Sequence, residues 1–318
     1  MHYSPFSRYI LKRMPHIIVS ITDRCNLNCP YCFNKDSRKQ LNEMPYDELV
    51  EIYDRYQPDT IQFFGGEPTL RWDDIVKMMD YIFPKMEARG ALDDPRHFTG
   101  VGMISNGTVW VDYNQVPERY RKNAMFVFSL DGMKDFHEKG RGEGSWEKTV
   151  DAIRRCAQTG IYTGVSCTRV AKDYLESPDN LQEFVDFCGT LGIHSLMFNV
   201  AFWANRPQTR SLAFCRQYKE ARRKLKALRY DESFFHFVAD NSHLCPEVAV
   251  HIHAGGEISP KCCAIMPTFG HWRDWSPENL TKLLNYCHHE VFDCKSAEWE
   301  NIQRYAKGLL LAEKEGRA

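Results

Sequence analysis

The sequence predicts an α/β fold of parallel strand–helix units, followed by a smaller C-terminal region of different character. Three observations carry this. Six short apolar runs alternate with segments of helical periodicity over roughly the first 200 residues. The pattern then changes, and the 12 cysteines gather mainly at two places instead of spreading evenly. A chain of 318 residues, 43% apolar and 26% charged, has the length and composition for one large core plus a small appendage.

The elements follow in order. HIIVSIT (His16–Thr22) reads as a buried strand, and Tyr46, Leu49, Val50 and Tyr53 then fall at the i, i+3, i+4, i+7 positions of a helix stripe. TIQFF (Thr60–Phe64) is the second strand, with Ile75, Met78, Met79 and Ile82 on the helix after it. GVGMIS (Gly100–Ser105) and MFVFSL (Met125–Leu130) are the third and fourth, and a helix is expected over 145–158. TGVSCT (Thr163–Thr168) precedes a helix with Leu181, Phe184, Val185 and Cys188 on one face, and HSLMFNV (His194–Val200) is the sixth strand. Parallel βαβ units at this spacing form either an open doubly wound sheet or an incomplete barrel, with the chemistry at the C-terminal ends of the strands in both. Residues 1–205 form this part and 206–318 the second, which holds a basic helical stretch over 210–229 and a hairpin of Val248–His253 with Glu257–Ser259.

The formal charge of −1 gives no basic field for nucleic acid. The N-terminal stretch mixes Arg, Lys and Pro into its apolar residues, unlike a signal peptide, and no run of about 18 apolar residues occurs to cross a membrane. A cytoplasmic chain with cysteines used for metal or cluster ligation is expected rather than a disulfide framework.

Cys25, Cys29 and Cys32 place three thiols within eight residues on the loop after the first strand. Thiolates select zinc or iron–sulfur clusters. Structural zinc takes four ligands, and no neighbouring His or Cys supplies the fourth. A cubane held by three cysteines keeps one iron open for a cofactor. The stretch ITDRCNLNCPYCF (Ile21–Phe33) resembles the signature of the radical S-adenosylmethionine superfamily. The resemblance implies a partial (β/α)6 barrel, a [4Fe–4S] cluster on these three cysteines, and S-adenosylmethionine chelated to the free iron and split by one electron into a hydrogen-abstracting 5′-deoxyadenosyl radical.

The strand ends carry the supporting motifs. Gly65, Gly66, Glu67 and Pro68 match the GGEP segment that the family uses on the methionine amino group; the plain alternative is a strand-to-helix turn with Pro at the helix start. Ser105 and Asn106 end the third strand, and Ser129 and Asp131 the fourth. The run from Ser129 through His137 to Arg141 is similar to the branch containing the anaerobic sulfatase-maturing enzymes. The similarity implies ribose and methionine contacts, with Arg141 on the methionine carboxylate. Turns or caps are the alternative for Asn106 and Asp131; His137 is expected on a helix surface, and Asn199 either faces the adenine or forms a turn.

Cys245, Cys262, Cys263, Cys287 and Cys294 lie in the last quarter. The hairpin between Cys245 and Cys262 resembles the start of SPASM and twitch extensions, and the count fits one auxiliary [4Fe–4S] cluster on Cys245, Cys262, Cys287 and Cys294. That leaves Cys263 as a hydrogen donor to a substrate radical; the exchange of Cys262 and Cys263, or a zinc involving His251, His253, His288 and His289, is the alternative. The two strand histidines are otherwise expected as an exposed alternate row. Cys156, Cys167, Cys188 and Cys215 are expected in the core, and His271–Trp275 forms either a substrate wall or buried aromatics. The resemblance implies modification of a residue in a peptide or protein, with electrons from a flavodoxin or ferredoxin. The rivals are a dehydrogenase of a small sugar or aminocyclitol, and a non-catalytic zinc protein or electron carrier.

Overall fold

A computed structural model describes residues 16–32, 34, 39–92, 99–176, 179–201, 217, 220–221, 223–230, 249–260, 268–276, 278–279 and 282–283. Its centre is one sheet of eight strands: β1 (His16–Thr22), β2 (Thr60–Gly65), β3 (Gly100–Ser105), β4 (Ala124–Ser129), β5 (Tyr162–Val170), β6 (Ser195–Ala201), β7 (Ala249–Ile252) and β8 (Ile258–Pro260). The order across the sheet is β6-β5-β4-β3-β2-β1-β7-β8. β1 to β6 are parallel and adjacent in chain order, β7 adds parallel to β1, and β8 runs antiparallel to β7.

This order decides between the two architectures left open by the sequence. A doubly wound sheet reverses direction at a switch point and carries helices on both faces. Here each crossover advances one strand in the same direction, and crossovers of one hand, the right-handed rule for parallel strands, then keep the helices on one face and curl the sheet into a partial barrel.

The helices are α1 (Tyr46–Tyr56), α2 (Trp72–Ala88), α3 (Lys134–Arg141), α4 (Ser145–Gln158), α5 (Ala171–Glu176) and α6 (Leu181–Gly189). Their stripes, such as Leu49, Ile52 and Tyr53 or Ile75, Met78 and Met79, share one core with Ile17, Val19, Ile61, Phe63, Val101, Phe126, Val165 and Phe198. Each such large side chain removed from water is worth roughly 1.5–3 kcal/mol before the entropy of ordering it is counted. The alternate row faces away from the helices: Phe64, Ile104, Met125, Ser129, Thr168, Met197 and Asn199 are only half-buried. That row lines the concave side of the barrel. Cys156, Cys167 and Cys188 are fully buried in the core, as expected. Cys215 lies outside the described residues.

Candidate cofactor site

At the C-terminal end of β1 the register with β2 slips between Ser20 and Thr22, and the chain leaves the sheet as the cysteine loop. The start of that loop is fixed by its own polar side chains. Thr22 Oγ1 accepts from Arg24 N (3.0 Å), and the Asp23 carboxylate accepts from Asn42 N (3.1 Å). None of Cys25, Cys29 and Cys32 is in a disulfide; Cys29 is buried and the other two are half-buried. Cys32 N donates to Cys29 O (3.2 Å), closing a turn, while Leu27 N (3.4 Å) and Asn106 Nδ2 (3.9 Å) approach Cys25 Sγ. Burial pushes the Cys29 thiol up, and the Arg141 cation opposes this. Three thiols at the mouth of the barrel, with N–H donors turned toward one sulfur, fit a cluster held from one loop. Among the described residues no three His, Cys, Asp or Glu side chains close around a point as a single metal ion requires.

The two glycines at the end of β2, Gly65 and Gly66, are required, and the structure shows by what. A Cβ on Gly65, at φ +131°, would lie 2.1 Å from Thr22 O, and one on Gly66 would lie 2.1 Å from Arg24 O. The close approach is therefore to the backbone of the cysteine loop, with Gly66 N donating to Thr22 O and Glu67 N to Arg24 O, both at 2.8 Å. Asn34 Nδ2 adds a bond to Gly65 O at 2.9 Å.

The Glu67 side chain is internal. Its Oε1 accepts from Thr69 N (3.0 Å), Thr69 Oγ1 (2.5 Å) and Ser105 Oγ (2.8 Å), and Oε2 from Asn106 N (2.7 Å). Burial pushes this carboxyl up, against the pull of the four donors. Ser105 and Glu67 thus brace each other. Asn106, tied to the same carboxylate, sends its amide to Asn26 Oδ1 (2.9 Å) beside Cys25. Pro68 starts a single turn of 3₁₀ helix, as its fixed φ favours.

Across the mouth lies a second brace around Asp131, 2% exposed after β4. Its Oδ2 accepts from Arg141 Nε (2.6 Å) and from the Tyr31 hydroxyl; its Oδ1 accepts from Arg141 Nη2 (3.2 Å) and Thr168 N (2.9 Å). Burial would raise this carboxyl, but the Arg141 guanidinium outweighs it and holds Asp131 below its ordinary range. Burial alone would lower Arg141; Asp131 reverses that and keeps it a cation. Tyr31, between Cys29 and Cys32, is pushed well up by burial and then by the Asp131 charge, so it stays a donor. Cysteine loop, β4 end, β5 end and α3 therefore meet at one carboxylate.

His137 corrects a sequence expectation. It is 0% exposed, not on a surface, because α3 lays it against the β4 end, where its Nδ1 accepts from Asp131 N (3.2 Å). Burial lowers it to about 4, so the ring is neutral. Arg169 is a participant the sequence reading passed over. It donates through Nε to Asp131 O (2.5 Å), pairs with Asp179, and stacks 3.5 Å from the Phe136 ring centre. Ser129 lies level with Ser166 on β5, and Asn199 Nδ2 donates to Ser166 Oγ (2.8 Å), forming a polar stripe on the concave side.

The β7–β8 hairpin forms as expected, but His251 and His253 are not an exposed row. His251 is 2% exposed, because β7 pairs with β1 and turns that row onto the concave face. Trp272 is a buried aromatic on α1, where Tyr56 Oη donates to its carbonyl (2.6 Å). Cys245, Cys262, Cys263, Cys287 and Cys294 lie outside the described residues, as do His288 and His289.

Comparison with known proteins agrees with this geometry. The family model of the radical SAM superfamily matches residues 19–188, more than half of the chain. The chain belongs to that superfamily, whose members use a [4Fe–4S] cluster and S-adenosylmethionine. It is 37% identical over 185 residues to a probable GTP 3′,8-cyclase of Methanocella arvoryzae (55% of this chain, 53% of that protein). It is 23% identical over 273 residues to the antilisterial bacteriocin subtilosin biosynthesis protein AlbA of Bacillus subtilis (79% of this chain, 55% of that protein). Among solved structures, anSMEcpe with bound AdoMet and the Cp18Cys peptide has a TM-score of 0.58 at 14% identity, covering 91% of this chain and 87% of that one. The chain spans about a third to a half of the length of the first curated relatives it matches.

Proposed function

We propose that the chain reductively cleaves S-adenosylmethionine and uses the radical to modify a residue within a peptide or protein. The observation that carries the first half is the cysteine loop, three thiols on a segment clamped through Thr22 O and Arg24 O to Gly66 N and Glu67 N and through Tyr31 to Asp131 and Arg141. When bound, the cluster and cofactor supply a 5′-deoxyadenosyl radical. The chain's own residues hold and orient. Cys25, Cys29 and Cys32 ligate, the backbone at Gly65 to Pro68 borders the methionine position, and Arg141 offers its cation to the methionine carboxylate. Ser105, Asn106, Ser129 and Asn199 flank the remainder. The concave face excludes bulk water from the reacting C–H bond.

The peptide half is supported by the similarity to AlbA, which reaches over 79% of the chain, beyond the 55% matched to the cyclase. The 37% identity to the probable GTP 3′,8-cyclase favours a second reading, a small-molecule substrate. Residues 206–318 are proposed to hold one auxiliary cluster on Cys245, Cys262, Cys287 and Cys294, with Cys263 as hydrogen donor. The experiment is anaerobic reconstitution with iron and sulfide, then dithionite and S-adenosylmethionine. 5′-Deoxyadenosine should form, and alanine at Cys25, Cys29 or Cys32 should abolish it. Colourless protein with stoichiometric zinc and no such product overturns the reading. Iron per chain in Cys245→Ser and Cys263→Ser protein then checks the second ligand set: the first should lower it and the second should not.

A further inference from the structure

The β7–β8 hairpin closes the sheet edge beside the strand that launches the cysteine loop, and it docks there through imidazoles. His251 aligns with Ile18 of β1, which places both on the concave face with Ser20. His251 Nε2 and Ser20 Oγ are 2.7 Å apart, and Phe64 of β2 meets the His251 ring edge-on at 5.8 Å between centres. His253, two residues on, stacks over His251 at 4.4 Å and 29°, and its Nε2 lies 2.8 Å from Ser259 Oγ of β8. The rings thus tie three strands, with the link from Ser20 to His251 spanning 231 residues of sequence.

We propose that His251 and His253 are positioning residues that hold the hairpin against β1 only while both rings are neutral, making this seam a pH-sensitive edge of the barrel. The geometry disfavours charge on the pair. Two imidazoles stacked at 4.4 Å cannot both be charged without repulsion, and among the described residues His251 has hydroxyl, aromatic and aliphatic neighbours on β1 and β2 but no carboxylate contact. Among the described residues the titratable groups nearby are Glu257 in the hairpin, which acts on His253 and on Asp23 after β1, and His271, which forms a β-bridge with Glu257. Burial lowers both histidines, which agrees with the packing. Opening the hairpin restores ordinary imidazoles of pKa about 6.5, so acid favours the open form by about tenfold per histidine between pH 7.5 and 5.5.

The test is hydrogen exchange on the full reconstituted chain at pH 7.5 and 5.5, corrected for intrinsic rates. Protection of amides 250–259 should fall about a hundredfold in the native protein and about tenfold in His251→Gln and in His253→Gln. A native hairpin whose protection changes less than threefold overturns the proposal. So does His251→Gln with the full native change. Should the variants not fold, the imidazole C2 proton titrations of the native protein decide: midpoints below 5.5 for both rings support it, and ordinary midpoints refute it.

Discussion

Replacing Glu67 with glutamine tests whether the GGEP carboxylate is a brace. The amide oxygen can keep the three donors now on Oε1, from Thr69 N, Thr69 Oγ1 and Ser105 Oγ. The new NH₂ then faces Asn106 N, which loses its 2.7 Å acceptor. Leaving a buried backbone N–H unpaired costs about 1–3 kcal/mol, and a charge-assisted bond is worth about 1.5–3 kcal/mol. Removing a buried charge offsets part of this, because burial opposes the ionised form of Glu67. The expected net loss is about 2 kcal/mol, or roughly 3 °C in melting temperature for a chain of this length. Asn106 also positions Asn26 beside Cys25, so retained iron should fall as well. Calorimetric melting and iron content check this, with Glu118→Gln on the exposed surface as control. A Glu67→Gln protein that melts within about 1 °C of the native chain and holds the same iron refutes the brace.

Other perturbations follow from the same contacts. Gly66→Ala puts a Cβ 2.1 Å from Arg24 O, so reconstituted protein should lose most of its iron while its far-ultraviolet dichroism is unchanged. Arg141→Lys keeps the charge but not the two-armed grip on Asp131; calorimetry should show S-adenosylmethionine bound about tenfold more weakly, about 1.4 kcal/mol. Arg169→Met takes the paired cation away from Asp179, whose side chain is 5% exposed, and should cost about 3–5 kcal/mol in denaturant unfolding, with part recovered in the double variant Arg169→Met, Asp179→Leu. His137 titrates at about 4 in the folded chain against about 6.5 unfolded. The unfolded chain therefore takes the proton first, and stability falls as pH drops from about 6.5 to 4, by about 3 kcal/mol in all. His137→Gln should flatten that part of the acid profile in melting scans.

The six parallel strands were legible because each is a short apolar run between turn residues; Gly100–Ser105 and Thr60–Gly65 stand within a residue of where the pattern put them. The cysteine loop was legible because its ligands are local in sequence. What stayed hidden is non-local. Tyr31 and Asp131 are 100 residues apart, and nothing in either segment announces the other. Gly66 read as making room for a ligand, while the atom it makes room for is Arg24 O. The alternation of His251 and His253 was visible, but its direction depended on β7 joining β1, which no periodicity encodes. His137 read as polar surface because helical position alone does not say which neighbour covers it.

Because β7 seals the flank of β1 from 231 residues downstream, translation order matters. At about 5–20 residues per second, the ribosome leaves that flank of the earliest strand uncovered for roughly 10–50 s. An unpaired strand edge invites wrong partners, so a nascent chain is exposed to misassembly throughout this interval. Metallation completed before the hairpin emerges would take place on a barrel still lacking one wall. Synthesis rate and chaperone supply should therefore affect the yield of folded protein.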